Sequence, residues 1–128
     1  MAKRLFAVVM VVYLIVDFFL TPYGGLETRT LTNATTTALA TVGLLFVGLA
    51  LIIASLVSLA IGPRRSSILA IVGALLYFPV FLADYTGQFS ASPAPAAIAS
   101  LEIVQALVAI VIILLALQSR RETARGMA

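Results

Sequence analysis

The 128-residue chain contains no cysteine and no histidine. It can therefore form no disulfide, carry out no thiol chemistry and bind no haem or copper through imidazole, and most zinc sites are excluded as well. A chain without thiols is compatible with oxidising and with reducing surroundings, so this absence identifies no compartment. From these residues we predict neither a metal site nor a cofactor.

Charged residues are also scarce, at 10% of the chain, whereas hydrophobic residues make up 62%. Soluble domains contain about 25% charged and about 45–50% apolar residues. A soluble fold of this size could not bury so much apolar surface, so much of it must face a lipid bilayer. The net charge is +3, but the sequence contains no basic stripe interleaved with aromatic residues. We therefore expect no nucleic-acid partner.

Four apolar runs predict a single all-α membrane domain spanning residues 1–128. The first run, residues 5–20, is slightly short for a bilayer, which needs about 20 residues, and Tyr13 is expected at or toward the interface. Its basic start resembles a signal peptide, but no small-residue cleavage motif follows, so an uncleaved helix is favoured. The predicted helices cover residues 5–21, 34–61, 67–83 and 96–118.

Two local signals refine the second half of the chain. The segment Gly62-Pro63-Arg64-Arg65-Ser66-Ser67 predicts a tight turn, after which a serine caps the third helix. Pro79 lies inside that helix and is expected to kink it, since proline removes one backbone hydrogen bond. Helices two and three should therefore form an antiparallel hairpin.

The distribution of basic residues predicts the orientation. Four spans place both termini and the loop at residues 62–67 on one side of the membrane. Only Arg29 lies on the other side, and basic residues near helix ends mark the cytoplasmic face. We predict an up-down bundle of four transmembrane helices in the cytoplasmic membrane, with both termini inside. The basic residues on the inner side are Lys3, Arg4, Arg64, Arg65, Arg120, Arg121 and Arg125.

Polar residues within the apolar runs form the candidate binding site, all of them in the outer half of the membrane. Ionisable groups at such depths are costly and often functional, but polar groups also join helices structurally. We keep both interpretations open. No nucleophile beside a base, metal-ligand set or glycine-rich phosphate loop is present, so no catalytic residue is predicted. The predicted cluster comprises Asp17, Asp84, Glu102, Gln105 and Arg29.

The second helix carries small residues at regular spacing, including Gly43, Ala50 and Ala54. Small residues let helix backbones approach closely in lipid. These positions therefore predict close packing, either against a helix of the same chain or against a partner.

Three functions follow from these features. The first is a non-catalytic accessory or binding subunit, within a larger membrane complex or a homo-oligomer. The alternative is a small proton- or cation-coupled transporter that uses Glu102 and Asp17. The third is a membrane enzyme acting on a lipid-like or quinone-like substrate, although the missing chemical motifs favour a protein without enzymatic activity.

Overall fold

The computed structural model describes residues 2–21, 36–85 and 96–127. These segments contain four α-helices and no β-strand, which confirms the prediction of an all-helical chain. In chain order the helices are α1 (Ala2–Leu20), α2 (Thr36–Ser58), α3 (Pro63–Tyr85) and α4 (Ala96–Met127).

Three of these helices are long and apolar enough to cross a membrane. The suitable stretches are Leu39–Ser58, Arg64–Tyr85 and Ala96–Glu122. Helix α1 is not among them, because its 19 residues include the charges of Lys3, Arg4 and Asp17. These three helices support the prediction that the chain is a membrane protein, whereas a fourth membrane crossing by α1 stays a prediction.

The connection between α2 and α3 is tighter than predicted. Helix α2 ends at Ser58, whose carbonyl oxygen accepts hydrogen bonds from the backbone N–H groups of Ile61 at 2.9 Å and Gly62 at 2.8 Å. Helix α3 begins immediately afterwards at Pro63. Proline has no N–H group, and it suits the first position of a helix because an N–H group there would have no partner within the helix. The predicted serine N-cap is therefore wrong: Ser66 lies in the first turn of α3, and its N–H donates to the Gly62 carbonyl at 3.0 Å.

The other helices also extend beyond their apolar cores. Helix α3 continues through Pro79 to Tyr85, and α4 continues nine residues past Gln118 to Met127. Arginine, glutamate and alanine are good helix formers, so the polar end of α4 remains helical although it is too polar for the bilayer. Hydropathy therefore predicts only the membrane-suited part of each helix.

The four helices pack in a closed cycle. Helix α2 packs against α3, α3 against α4 and α4 against α1, whereas the contact between α1 and α2 is smaller. Diagonally opposite helices make no close backbone contact within the described residues. The buried core draws side chains from all four helices: Phe6, Met10, Tyr13, Val16, Leu20, Ile52, Leu59, Ala70, Ala74, Tyr77, Ile98, Ala109, Ile112 and Ala116.

The closest helix contact joins α2 and α3 at Gly48 and Gly73. A Cβ atom added to either glycine would lie 3.2 Å from the backbone oxygen of the other, so any larger residue would push the helices apart. Nearer the turn, Ser55 and Ser66 are buried and bond reciprocally. The Ser55 hydroxyl donates to the Ser66 carbonyl at 2.6 Å, and the Ser66 hydroxyl donates to the Ser55 carbonyl at 2.8 Å.

The small residues predicted to form a packing seam on α2 are not part of this contact. Gly43 and Ala50 are exposed, Ala54 is half-buried, and no atom of the described segments lies within 4 Å of a Cβ atom built on Gly43. The prediction of a close contact within the chain at Gly43 and Ala50 is therefore wrong. The helix is apolar on all sides, so its composition did not reveal which side packs inward.

Candidate functional site

Asp17 is the most deeply buried of the described ionisable residues in the predicted cluster. It lies near the end of α1, and only 1% of its surface is exposed. Neither carboxyl oxygen has a hydrogen-bond partner among the described residues. An unpaired buried carboxylate is costly, because it loses hydration and gains no compensating contact. The site therefore contains an acidic group whose oxygen atoms accept no hydrogen bond from residues 2–21, 36–85 or 96–127.

Gln105 places an amide group beside this carboxyl group. The residue is fully buried on α4, the helix that packs against α1. Its side chain is close enough to interact with Asp17, and its Nε2 atom donates one of its two N–H groups to the backbone carbonyl of Tyr13 at 3.0 Å. The Oε1 atom is buried and has no hydrogen-bond partner. The hydrogen bond to Tyr13 thus holds the amide group in place and leaves this oxygen available.

Two buried tyrosines join α1 and α3 across the centre of the helix cycle. The rings of Tyr13 and Tyr77 meet edge to face, with their centroids 6.4 Å apart. Tyr13 is buried in the core between the helices, and its position at or toward the membrane interface stays a prediction. The hydroxyl group of Tyr77 donates to the backbone carbonyl of Glu102 at 2.7 Å. The two rings therefore link three helices at the level of the site.

The other predicted residues lie around these tyrosines. Asp84 and Glu102 are half-buried, and both interact electrostatically with Tyr77. Asp17 does so as well, which brings three predicted acidic residues into one neighbourhood. Arg29, the predicted basic member of the cluster, lies outside the described residues.

A family comparison covers nearly the whole chain. Residues 2–128 match the model of the family described as "Domain of unknown function (DUF8051)". The chain belongs to this family. No curated protein and no solved structure matches it.

The chemistry available to this DUF8051 member is that of a hydrogen-bond acceptor site. Asp17 and Gln105 together present three buried oxygen atoms without a donor. Such a set can bind a proton, a metal cation or a ligand carrying hydrogen-bond donors. No group of three or more His, Cys, Asp or Glu residues suited to a metal occurs in the part of the chain that the structure describes.

Sequence reasoning missed the tyrosines and the role of Gly48 as the residue of α2 that contacts α3. Tyr13 lies four residues before Asp17, one turn away on the same side of a helix, and this spacing could have associated the two residues. No comparable signal marks Tyr77, because Phe78 and Phe81 lie close to it in the same apolar run. Its role depends on contacts with residues that are distant in the sequence.

Proposed function

We propose that the protein is a small membrane carrier that takes up a proton or a cation at a site inside the bilayer. In this proposal all four helices cross the cytoplasmic membrane as an up-down bundle, and both termini lie in the cytoplasm. Asp17 is the principal binding residue, and Gln105 is its neighbour on α4. Glu102, one turn from Gln105, supplies a second carboxylate.

The unpartnered carboxyl group of Asp17 carries this proposal. A residue retained only to join helices would use its oxygens in hydrogen bonds to the neighbouring helix. Ser55 and Ser66 do so in the same protein, since each hydroxyl donates to the other's carbonyl. Asp17 makes no such bond to any described residue, although its burial is costly. A bound proton or cation would remove that cost.

The experiment is a measurement of charge displacement in liposomes that contain the full-length protein. Liposomes adsorbed on a solid support are exposed to a rapid step in pH or in NaCl concentration, and the transient current is recorded. The wild-type protein is expected to give a current. Asp17→Asn keeps the size and the polarity of the side chain but removes the charge, and it is expected to reduce the current at least tenfold.

Glu122→Gln is the matched control, because it also neutralises one acidic residue on a helix. Glu122 is exposed near the end of α4, where its carboxylate accepts only a long hydrogen bond of 3.4 Å from Gln118. This variant is expected to retain the wild-type current. Equal currents from the wild type and Asp17→Asn, or no current from the wild type, would contradict the proposal.

The accessory-subunit role is a second candidate, and the exposed side of α2 favours it. Gly43 and Ala50 are exposed there, and the space beside Gly43 is open. Small residues on an open helix face permit close approach of another membrane helix. Extraction from native membranes in a mild detergent, followed by identification of co-purified proteins, would reveal such a partner or a second copy of the chain.

A further inference from the structure

We propose that an anionic phospholipid binds in the groove between α3 and α4, at the arginine-rich end of these two helices. Its phosphate group lies between Arg64 and Arg120, and one of its acyl chains runs along the apolar part of the groove. Both arginines are exposed and lie several helical turns away from Asp17. The lipid site is therefore separate from the carrier site and does not depend on it.

The start of α3 and the end of α4 lie at the same end of the molecule. Near the other end, the hydroxyl of Tyr77 donates to the Glu102 carbonyl at 2.7 Å, which joins the last part of α3 to the first part of α4. Ile112 and Ala116, further along α4, are fully buried. If the two helices ran parallel, these residues would lie past the last residue of α3 and lose its cover. These contacts indicate an antiparallel pair.

Arg120 lies on the side of α4 that faces α3. It follows Glu102 by 18 residues, which is five complete turns of an α-helix, so the two residues share one side of α4. At 1.5 Å per residue, Arg120 lies about 27 Å from Glu102, and Arg64 lies about 20 Å from Tyr77. The two arginines are thus offset by only about 7 Å along the helices, a distance that their long side chains can bridge.

An apolar groove extends from these arginines along the contact of α3 with α4. Each arginine ends a series of residues spaced by seven, nearly two turns, so each series follows one side of its helix. The apolar members are half-buried and pack against the core, as residues at the edge of a helix contact do. Gly73 and Leu76 lie on the opposite side of α3, against Gly48 of α2. The apolar members are Ile71 and Phe78 on α3, and Ala106 and Ile113 on α4.

The charges at this end of the two helices favour an anion. The first turn of α3 and the last turns of α4 carry five arginines, whereas Glu122 is the single acidic residue among the described residues there. Asp84 and Glu102 lie at the opposite end of the same helices. The N-terminus of α3 adds the positive end of a helix dipole.

A phospholipid matches both parts of the groove. Arginine binds phosphate through paired N–H donors, and basic pockets between membrane helices suit anionic headgroups. The half-buried apolar residues offer a surface for an acyl chain directly beside these donors. A soluble anion would use only the arginines, and a neutral lipid would use only the apolar surface.

The test is lipid binding to the full-length protein in detergent micelles, measured by native mass spectrometry over a range of lipid concentrations. Phosphatidylglycerol is compared with phosphatidylcholine of the same acyl chains, because the two headgroups differ in net charge. We expect the wild type to bind phosphatidylglycerol at least tenfold more tightly. Equal affinities for the two lipids would overturn the proposal.

Arg120→Gln removes one positive charge from the groove and is expected to weaken phosphatidylglycerol binding at least fivefold. Arg64→Gln tests the α3 side of the groove and should have a similar effect. Arg125→Gln is the matched control, because it removes the same charge from α4 about 7.5 Å further along the helix. It should retain the wild-type affinity. Equal losses in all three variants would indicate general attraction to the basic end and would overturn the proposal.

Sodium phosphate, added as a competitor, distinguishes the lipid from a soluble anion. Sodium chloride at the same ionic strength is the reference, and we expect both salts to affect phosphatidylglycerol binding equally. Displacement by phosphate alone would show that the arginines bind free phosphate, which overturns the choice of a lipid. None of these outcomes involves Asp17, so failure of the lipid site leaves the proposed carrier function intact.

Discussion

At the scale of single residues, Tyr77 combines packing and hydrogen bonding at the centre of the molecule. Its ring is buried against Tyr13, and its hydroxyl donates to the Glu102 carbonyl at 2.7 Å. That carbonyl also lies inside α4 and takes part in the helical hydrogen-bond pattern. The tyrosine hydroxyl is therefore an additional donor that ties α3 to α4, and its removal should weaken the fold without unfolding it.

Tyr77→Phe tests this link, because it removes the hydroxyl and keeps the ring. Hydrogen bonds between membrane helices contribute about 0.6 kcal/mol on average and at most about 1.7 kcal/mol. We expect the free energy of unfolding in mixed micelles to fall by an amount within that range. Tyr85→Phe is the control, since Tyr85 is exposed and stacks on Phe81 through its ring. Equal stability of both variants would show that the Tyr77 hydroxyl contributes nothing.

At the scale of helices, the contact of α2 with α3 depends on two glycines. A Cβ atom on Gly73 would lie 3.1 Å from the Leu51 Cβ atom and 3.2 Å from the Gly48 carbonyl oxygen. Both of these atoms are held by the backbone of α2 and cannot rotate away. The helices would have to separate to accept a side chain at this position.

Gly73→Val should therefore destabilise the protein by about 1–3 kcal/mol, the usual cost of overpacking. Gly43→Val is the matched control, because the same residue replaces a helical glycine where no atom lies within 4 Å of the added Cβ. Both variants change the intrinsic helix propensity by the same amount, so the difference in their stability measures the effect on packing. Chemical unfolding of both variants measures the difference. If Gly43→Val were the less stable variant, the assignment of the packed side would be wrong.

At the scale of the whole molecule, the orientation in the membrane is open to direct measurement. The wild-type chain contains no cysteine, so a single introduced thiol is labelled without background. Ser66 is unsuitable for this purpose because it is buried and hydrogen-bonded to Ser55. Ala124 is exposed on the polar end of α4, and Ser90 lies in the predicted outer loop.

We expect an impermeant thiol reagent to label Ser90→Cys in intact cells. Ala124→Cys should be labelled only after the membrane is permeabilised, because the basic residues near the helix ends favour the cytoplasmic side. The reverse pattern would place both termini outside. Labelling of both residues in intact cells would show that α4 does not cross the membrane.

Local composition was sufficient to predict the helical class and to indicate the polar residues of the candidate site. Helices suited to a membrane are recognisable because each must satisfy its own backbone hydrogen bonds and present apolar side chains to lipid. Asp17 and Gln105 were recognisable because polar groups are rare in such runs. These properties depend on neighbours in the chain, and they can be inferred without knowledge of the packing.

Only the tertiary structure decided which helix faces meet. A membrane helix is apolar on its lipid-facing and its inward-facing side, so hydrophobic periodicity does not separate them. For this reason the sequence indicated Gly43 and Ala50 as the close-packing residues of α2, whereas Gly48 is the residue of α2 that contacts Gly73. The free oxygens of Asp17 and Gln105 likewise became visible only once α1 and α4 were packed together. Hydrogen-bond satisfaction is a property of that packing, and no single helix contains the information.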